Sequence, residues 1–350
     1  MRAVSKGSRN MARLPASLLG RIFFLAVALP MLFACAPEQE TRPDVGSYVW
    51  PLPPEQPRIR YVKSLFGEAD YWKTGSLDII AGDRPSDDLL KPYGVATDRS
   101  GRVYVADTLK HAVFIFDEAL KQVTVIGKKE QALRVPSSVA VDAMQNIYVA
   151  DTGHDAVLVF SSTDRLITSF GKEVLDNPSG MVIDDAKGRI YVVSSRTHRV
   201  EVFSLSGKHL FGFGGRGPGP GMFNYPMGIA MDNMGNLYVV DSANFRVQVF
   251  NGEGVFIREF GRLGAEPGTF SRPKGVATDF MGNVYVTDAA FNNFQIFDPM
   301  GRLLLFIGAS GTTGPGEFSL PAGICIDRQF SRIYVADQLN RRVQVFEILK

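Results

Sequence analysis

Residues 92 to 346 repeat one spacing six times: a proline, an aspartate six residues later, a tyrosine, and a phenylalanine twelve residues after the tyrosine. The prolines are Pro92, Pro136, Pro178, Pro226, Pro273 and Pro321; the aspartates are Asp98, Asp142, Asp184, Asp232, Asp279 and Asp327. The tyrosines are Tyr104, Tyr148, Tyr191, Tyr238, Tyr285 and Tyr334, and the phenylalanines Phe116, Phe160, Phe203, Phe250, Phe297 and Phe346. Only the step from Asp to Tyr varies, by one residue. A repeat of this period restricts the fold to propellers and solenoids, in which each unit buries its apolar surface only by packing on its neighbours.

Each unit reads as four short strands. Small and β-branched residues follow the proline, as in Gly94-Val95-Ala96-Thr97 and Gly275-Val276-Ala277-Thr278, and form an inner strand a. A turn rich in Gly, Asn and Ser leads to a Val/Ile/Leu-Tyr-Val segment, strand b. The alternation Val247-Gln248-Val249-Phe250 predicts a half-buried strand c, and Val255 to Phe260 or Leu303 to Ile307 supplies strand d. Nothing in the unit has helical spacing. Four-stranded antiparallel units of roughly 40 to 50 residues set around an axis are propeller blades. The last unit stops after strand c at the C-terminus, whereas residues 58 to 67, Arg58-Ile59-Arg60-Tyr61-Val62-Lys63-Ser64-Leu65-Phe66-Gly67, end in the Phe-Gly that closes strand d elsewhere. The expected fold is therefore an all-β six-bladed propeller over 58–350, with the strand at about 58–66 completing the last blade and removing open edges.

Pro-x-Gly-Val/Ile-Ala, Asn-x-Tyr-Val-x-Asp and Asn-x-Arg-Val-Gln-Val-Phe, with loops such as Gly264-Ala265-Glu266-Pro267-Gly268-Thr269-Phe270, resemble the NHL repeat over residues 58 to 350. Blades four and six match best, through Asn244-Phe245-Arg246-Val247 and Asn340-Arg341-Arg342-Val343; blade three departs, with Ser194 where the others have Asp. The resemblance implies a six-bladed β-propeller. It leaves function open, because the family spans enzymes, RNA binders and protein scaffolds.

The first 34 residues carry Arg2, Lys6, Arg9, Arg13 and Arg21, no acidic residue, and the apolar run Ile22 to Phe33, the layout of a secretory signal. Leu32-Phe33-Ala34-Cys35 resembles the bacterial lipobox, which implies cleavage before Cys35 and its lipidation; the alternative is an ordinary signal-peptidase cut nearby that leaves a soluble secreted protein. Met11 is an alternative start that leaves a signal of ordinary length. Residues 35–57, with six prolines, read as an extended tether of roughly 70 Å maximum reach. The expected location is the bacterial cell envelope, outside the cytoplasm and anchored to a membrane, which an outer membrane would satisfy. Without residues 1–34 the chain has 33 basic against 36 acidic residues, a net −3, which disfavours nucleic acid as a partner. Cys35 and Cys325 are the two cysteines; with Cys35 lipidated, Cys325 has no disulfide partner and reads as a small buried residue of inner strand a.

Strand polarity places the b-to-c and d-to-a loops on one end, here the upper face, and the acidic a-to-b and c-to-d turns on the lower. The closing strand enters from below, so the tether is expected to leave there. The upper loops gather cations, of which Arg196, Arg199, Arg216, Arg246, Arg262 and Arg272 form a candidate partner-binding basic face; the alternative is a solvated loop surface, interspersed with Glu130, Glu173, Glu266 and Glu317. The residue after each proline should line the channel mouth: Tyr93, Ser137, Ser179, Met227, Lys274 and Ala322. Tyr93 and Lys274 are its chemically useful members, and no catalytic constellation accompanies them. His111, His154 and His198 fall in b-to-c loops of three blades, too far apart to converge at the roughly 2.0–2.1 Å that zinc requires; no metal or other cofactor is expected. The six aspartates read as turn formers. The leading expectation is a non-enzymatic scaffold that binds a protein or glycan on its upper face and the membrane through its lipid. The alternative is a metal-dependent propeller hydrolase or lyase acting on a small substrate in the central channel.

Overall fold

The structure is a computed structural model that describes residues 48–71, 87–128, 132–327, 329 and 331–349. The signal, Cys35, the first part of the expected tether and Trp72 lie outside the described residues. Five four-stranded antiparallel sheets and one five-stranded sheet make six blades. Blade one is built of Pro92–Thr97, Val103–Asp107, Ala112–Asp117 and Gln122–Ile126; blade two of Pro136–Val141, Ile147–Asp151, Ala156–Phe160 and Leu166–Phe170. Pro178–Asp184, Arg189–Ser194, Arg199–Ser204 and His209–Gly214 form blade three, and Pro226–Met231, Leu237–Asp241, Arg246–Phe250 and Phe256–Phe260 blade four. Blade five comprises Pro273–Thr278, Val284–Asp288, Asn293–Phe297 and Leu303–Ile307. Blade six takes Pro321–Asp327, Arg332–Asp337 and Arg342–Ile348 from the C-terminus and Ile59–Leu65 from the N-terminal side.

Closure is therefore as expected. Tyr61 pairs with Phe346 and Leu65 with Val343. Leu65, Val343 and Val345 share a core with Val103, Phe114 and Phe116 of blade one, so the closing strand also cements blade six to blade one. One strand was not foreseen. Val49–Trp50 pairs antiparallel with Arg60 and Ile59, and the Trp50 ring stands edge-on to Phe346 at 5.8 Å. Residues 48–50 thus belong to the propeller rather than to an extended tether, because the indole buries itself against the blade-six core. This strand runs toward the lower face, so the chain meets the propeller on the outer edge of blade six. The point at which the expected tether leaves the propeller lies outside the described residues.

The recurring residues divide the labour. In blades one, two, four and five, where the Asp-to-Tyr step is six, the tyrosine hydroxyl donates to the aspartate at 2.9–3.3 Å. The other carboxylate oxygen accepts turn N–H groups, as Asp232 does from Met234 and Asn236. Where the step is seven, in blade three, Tyr191 donates to the Gly252 carbonyl instead. Strand b ends in a second, fully buried aspartate that holds the loop entering strand a: Asp107 accepts from Leu90 and Lys91, Asp151 from Arg134 and Val135, Asp288 from Ser271 and Arg272. Ser194 performs this task in blade three, with its hydroxyl 2.9 Å from the Asp176 amide nitrogen. Strand c is buried along its whole length rather than half-buried. The polar member of its alternation turns into a buried network: Gln248 donates to the Met222 carbonyl and to Asp241, and accepts from Gly221 N–H.

Around the axis the strands a approach so closely that a side chain beyond hydrogen is excluded. A Cβ on Gly228 would lie 2.5 Å from the Lys274 carbonyl oxygen, and one on Gly323 would lie 2.4 Å from that of Tyr93. Gly94, Gly180 and Gly275 meet the next blade in the same way. Replacing Gly228 with Ala is expected to lower stability by about 1–3 kcal/mol through a forced backbone shift between blades four and five. Urea unfolding followed by tryptophan fluorescence measures it, and an unchanged midpoint would contradict the close approach.

Candidate functional site

The six inner strands enclose an axial cavity of about 370 Å3, within the range of small-ligand sites. Its upper mouth is ringed by Tyr93, Ser137, Ser179, Met227, Lys274 and Ala322, which the strand register brings together as expected. Their chemistry is unequal. The Ser137 hydroxyl donates to the Pro178 carbonyl at 2.6 Å, and that of Ser179 to the Met227 carbonyl at 2.8 Å while accepting from Ser195. Both serines join neighbouring blades. Ala322 is fully buried and small, and across it Lys274 of blade five reaches the Tyr93 ring of blade one, 5.3 Å from its centroid.

The Lys274 ammonium also donates to the Gln338 side-chain carbonyl at 3.3 Å. Burial, with repulsion from Arg272 and Lys91, pulls its pKa down to about 8. Burial alone pushes the Tyr93 phenol up to about 12. Gln338 and Lys91 are the members that sequence reasoning missed. The signal for Gln338 was present: the residue after strand b is Thr108, Thr152, Ser195, Ser242 or Ala289 in the other blades.

The basic face resolves into two groups. Arg216, Arg262 and Arg272 are exposed on loops that enter strands a of blades four and five. Arg246 is not a surface group: it is 7 % exposed, pairs with Asp241 and Glu259 at 2.8 Å each, and donates to the Gly219 and Met222 carbonyls. Its place in the repeat, occupied by Arg342 in blade six, serves to anchor a long glycine-rich loop. Arg199 pairs with Glu201 at 2.8 Å, and Arg196 with Asp176 at 3.4 Å.

Family models agree with this architecture. An NHL repeat model matches residues 133–160 and 223–250, and a model of a 6-bladed beta-propeller family matches 277–349. The chain is a six-bladed β-propeller that carries NHL repeats. No curated protein matches it significantly in sequence. Among solved structures it is similar to virginiamycin B lyase from Staphylococcus aureus, at 12 % identity and a TM-score of 0.55, covering 83 % of this chain and 100 % of that one. It is also similar to a gluconolactonase from Xanthomonas campestris, at 16 % identity and a TM-score of 0.60, covering 75 % and 87 %. A protein of unknown function from Bacteroides thetaiotaomicron gives 15 % and 0.60, covering 77 % and 72 %. At these identities the likeness is one of fold.

In this NHL propeller the histidines stay apart, each engaged in its own neighbourhood. His111 Nδ1 contacts the Arg134 carbonyl, His154 Nδ1 lies 3.3 Å from Asp151, and His209 Nε2 lies 2.8 Å from Glu201. His198 is buried, accepts the Tyr225 N–H at Nδ1 and stacks edge-on against that ring; burial, then Arg216, lowers its pKa. Among the described residues no group of three or more His, Cys, Asp or Glu side chains is arranged to hold a metal ion. Cys325 lines the lower channel, partly exposed, with its sulfur 3.7 Å from the Thr97 hydroxyl; the expected full burial is corrected because strand a of blade six turns it toward the axis.

Two outcomes follow. Arg246→Ala should cost about 3–5 kcal/mol of stability, the usual penalty for stranding a buried charge, measurable by urea unfolding. Folded Lys274 loses its proton near pH 8 whereas an unfolded lysine holds it to about 10.4, so the folded state binds fewer protons between those values. The stability of the wild type relative to Lys274→Met should therefore rise as pH increases from 8 to 10; a flat difference would contradict the burial of this ammonium.

Proposed function

We propose that this propeller is a non-enzymatic binding module of the bacterial cell envelope, lipid-anchored through Cys35, which captures an anionic protein or glycan partner on its upper face. The observation that carries this reading is the separation of charge roles across the domain. Arg216, Arg262 and Arg272 stand exposed on the upper loops and Lys274 lines the channel mouth with Arg272 and Lys91 as cationic neighbours, while the lower carboxylates Asp142, Asp232 and Asp279 are consumed in their own turns. Uncommitted cations around a concave opening attract and orient an anionic surface. The mouth hydroxyls of Ser137 and Ser179 are already spent on carbonyls, so neither is placed as an activated nucleophile.

A second reading, a metal-dependent hydrolase or lyase acting on a small substrate in the channel, is favoured by the axial cavity and by the fold shared with a lyase and a gluconolactonase. The anchored-scaffold reading fits the side-chain arrangement better.

Substituting Arg216, Arg262 and Arg272 together with Glu should reduce partner capture from envelope extracts at least roughly tenfold with little change in thermal stability, since exposed charges contribute little to folding. Unchanged capture would remove the basic face from the mechanism. Metal analysis of the purified full chain separates the readings: stoichiometric zinc or calcium would favour the enzyme, and a folded, metal-free protein the scaffold. Replacing residues 1–35 with a signal that ordinary signal peptidase removes should release the protein from the membrane fraction, and retention would refute the lipid anchor.

A further inference from the structure

Two hydrogen-bond donors that line the upper mouth, Lys274 and Tyr93, and a buried amide in contact with the first, Gln338, are left without an acceptor that satisfies them. The Lys274 ammonium has one neutral partner, the Gln338 carbonyl, and its electrostatic neighbours Lys91 and Arg272 are both cations. The Gln338 side-chain nitrogen has no hydrogen-bond partner, although the residue is only 2 % exposed. A buried amide left this way costs free energy. The Tyr93 hydroxyl has no hydrogen-bond partner among the described residues, and its ring carries the ammonium on one face. These groups come from blades five, six and one, which small Ala322 allows to meet.

We propose that the upper mouth is a binding site for the carboxylate of a small organic acid, held by Lys274 and Tyr93, with Gln338 as a positioning residue for the ammonium. The inference rests on the binding-module reading and gives its anionic ligand a chemistry. One ammonium and one neutral hydroxyl donor match a single negative charge with two oxygen acceptors. A phosphate dianion would call for more charge, or for a bidentate guanidinium, at the contact itself. The Tyr93 ring and the Met227 side chain, both lining the mouth, supply apolar walls for the carbon skeleton. A cavity of about 370 Å3 admits a single sugar acid or the terminal residue of a peptide, and not a folded domain.

Binding is coupled to the proton on Lys274. Its pKa near 8 reflects burial beside Arg272 and Lys91, and a bound carboxylate would supply the missing counter-charge. Affinity should therefore be strongest below pH 8 and weaken above it. The other ionisable group facing the ammonium, Tyr93, titrates near 12 and stays protonated through this range.

Calorimetry on the purified full chain tests the site with sodium D-glucuronate and N-acetyl-L-alanine, against D-glucose and N-acetyl-L-alaninamide as neutral counterparts. At least one acid should bind roughly tenfold or more tighter than its neutral counterpart. Glucuronate alone would point to an acidic sugar, and N-acetylalanine alone to a peptide C-terminus. Lys274→Met and Gln338→Leu should each weaken that binding roughly fivefold or more. If either variant fails to fold, the wild-type protein still decides: carboxylate affinity should drop roughly tenfold or more between pH 7 and pH 9.5. Equal affinity for acid and neutral probe, no binding of either acid at millimolar concentration, or a flat pH profile would overturn the proposal. Such a failure, with partner capture still dependent on Arg216, Arg262 and Arg272, would leave the binding-module reading standing.

Discussion

Everything in this propeller hangs on how closely its six inner strands pack around the axis. At Gly94, Gly180, Gly228, Gly275 and Gly323 the neighbouring backbone leaves space for a hydrogen and nothing larger. That contact sets the width of the channel and aims the residue preceding each glycine at the mouth. It also permits hydrogen bonds from blade to blade, such as Ser179 to the Met227 carbonyl and Ser242 to the Pro273 carbonyl at 2.8 Å. The glycines are thus required by tertiary contact rather than by backbone conformation.

Two sets of aspartates convert this packing into a rigid frame for the loops. One set closes the turns on the lower face and, in four blades, accepts the hydroxyl of the recurring tyrosine. The other is buried at the end of strand b and holds the chain that enters strand a from above. Burial, followed by the carboxylate neighbours, pushes the Tyr104, Tyr148 and Tyr285 phenols upward, which keeps them as donors. With its polar atoms committed to scaffold, the repeat leaves chemistry to positions where its copies diverge. Lys274 among Tyr, Ser, Met and Ala equivalents, and Gln338 among Thr, Ser and Ala equivalents, are two such positions.

Burial separates residues that look alike in the sequence. Arg246 and Arg262 are both cations of blade-four and neighbouring upper loops, yet Arg246 is locked between Asp241 and Glu259 while Arg262 is exposed. Gln248 looked like the solvent-facing member of an alternating strand; it is fully buried because the long preceding loop folds over it and supplies acceptor and donor. Trp50, outside the repeat, looked like part of a linker, and it found a packing partner in Phe346, nearly three hundred positions away in the chain. Local pattern reports which residues recur, and it is silent on which loop comes to lie above them.

The amino-acid sequence determined the blade count, the strand order within each blade and the closure by residues 59–65, because the repeat spacing and the strand missing from its last copy are properties of the chain alone. It also determined which residues line the channel mouth, since one strand register places all six. The tertiary structure decided which of those side chains remain available. Ser137 and Ser179 are consumed by adjacent blades, and Lys274, Tyr93 and Gln338 meet across Ala322. Availability depends on hydrogen-bond partners and desolvation supplied by residues distant in sequence, and these exist only once the ring has closed.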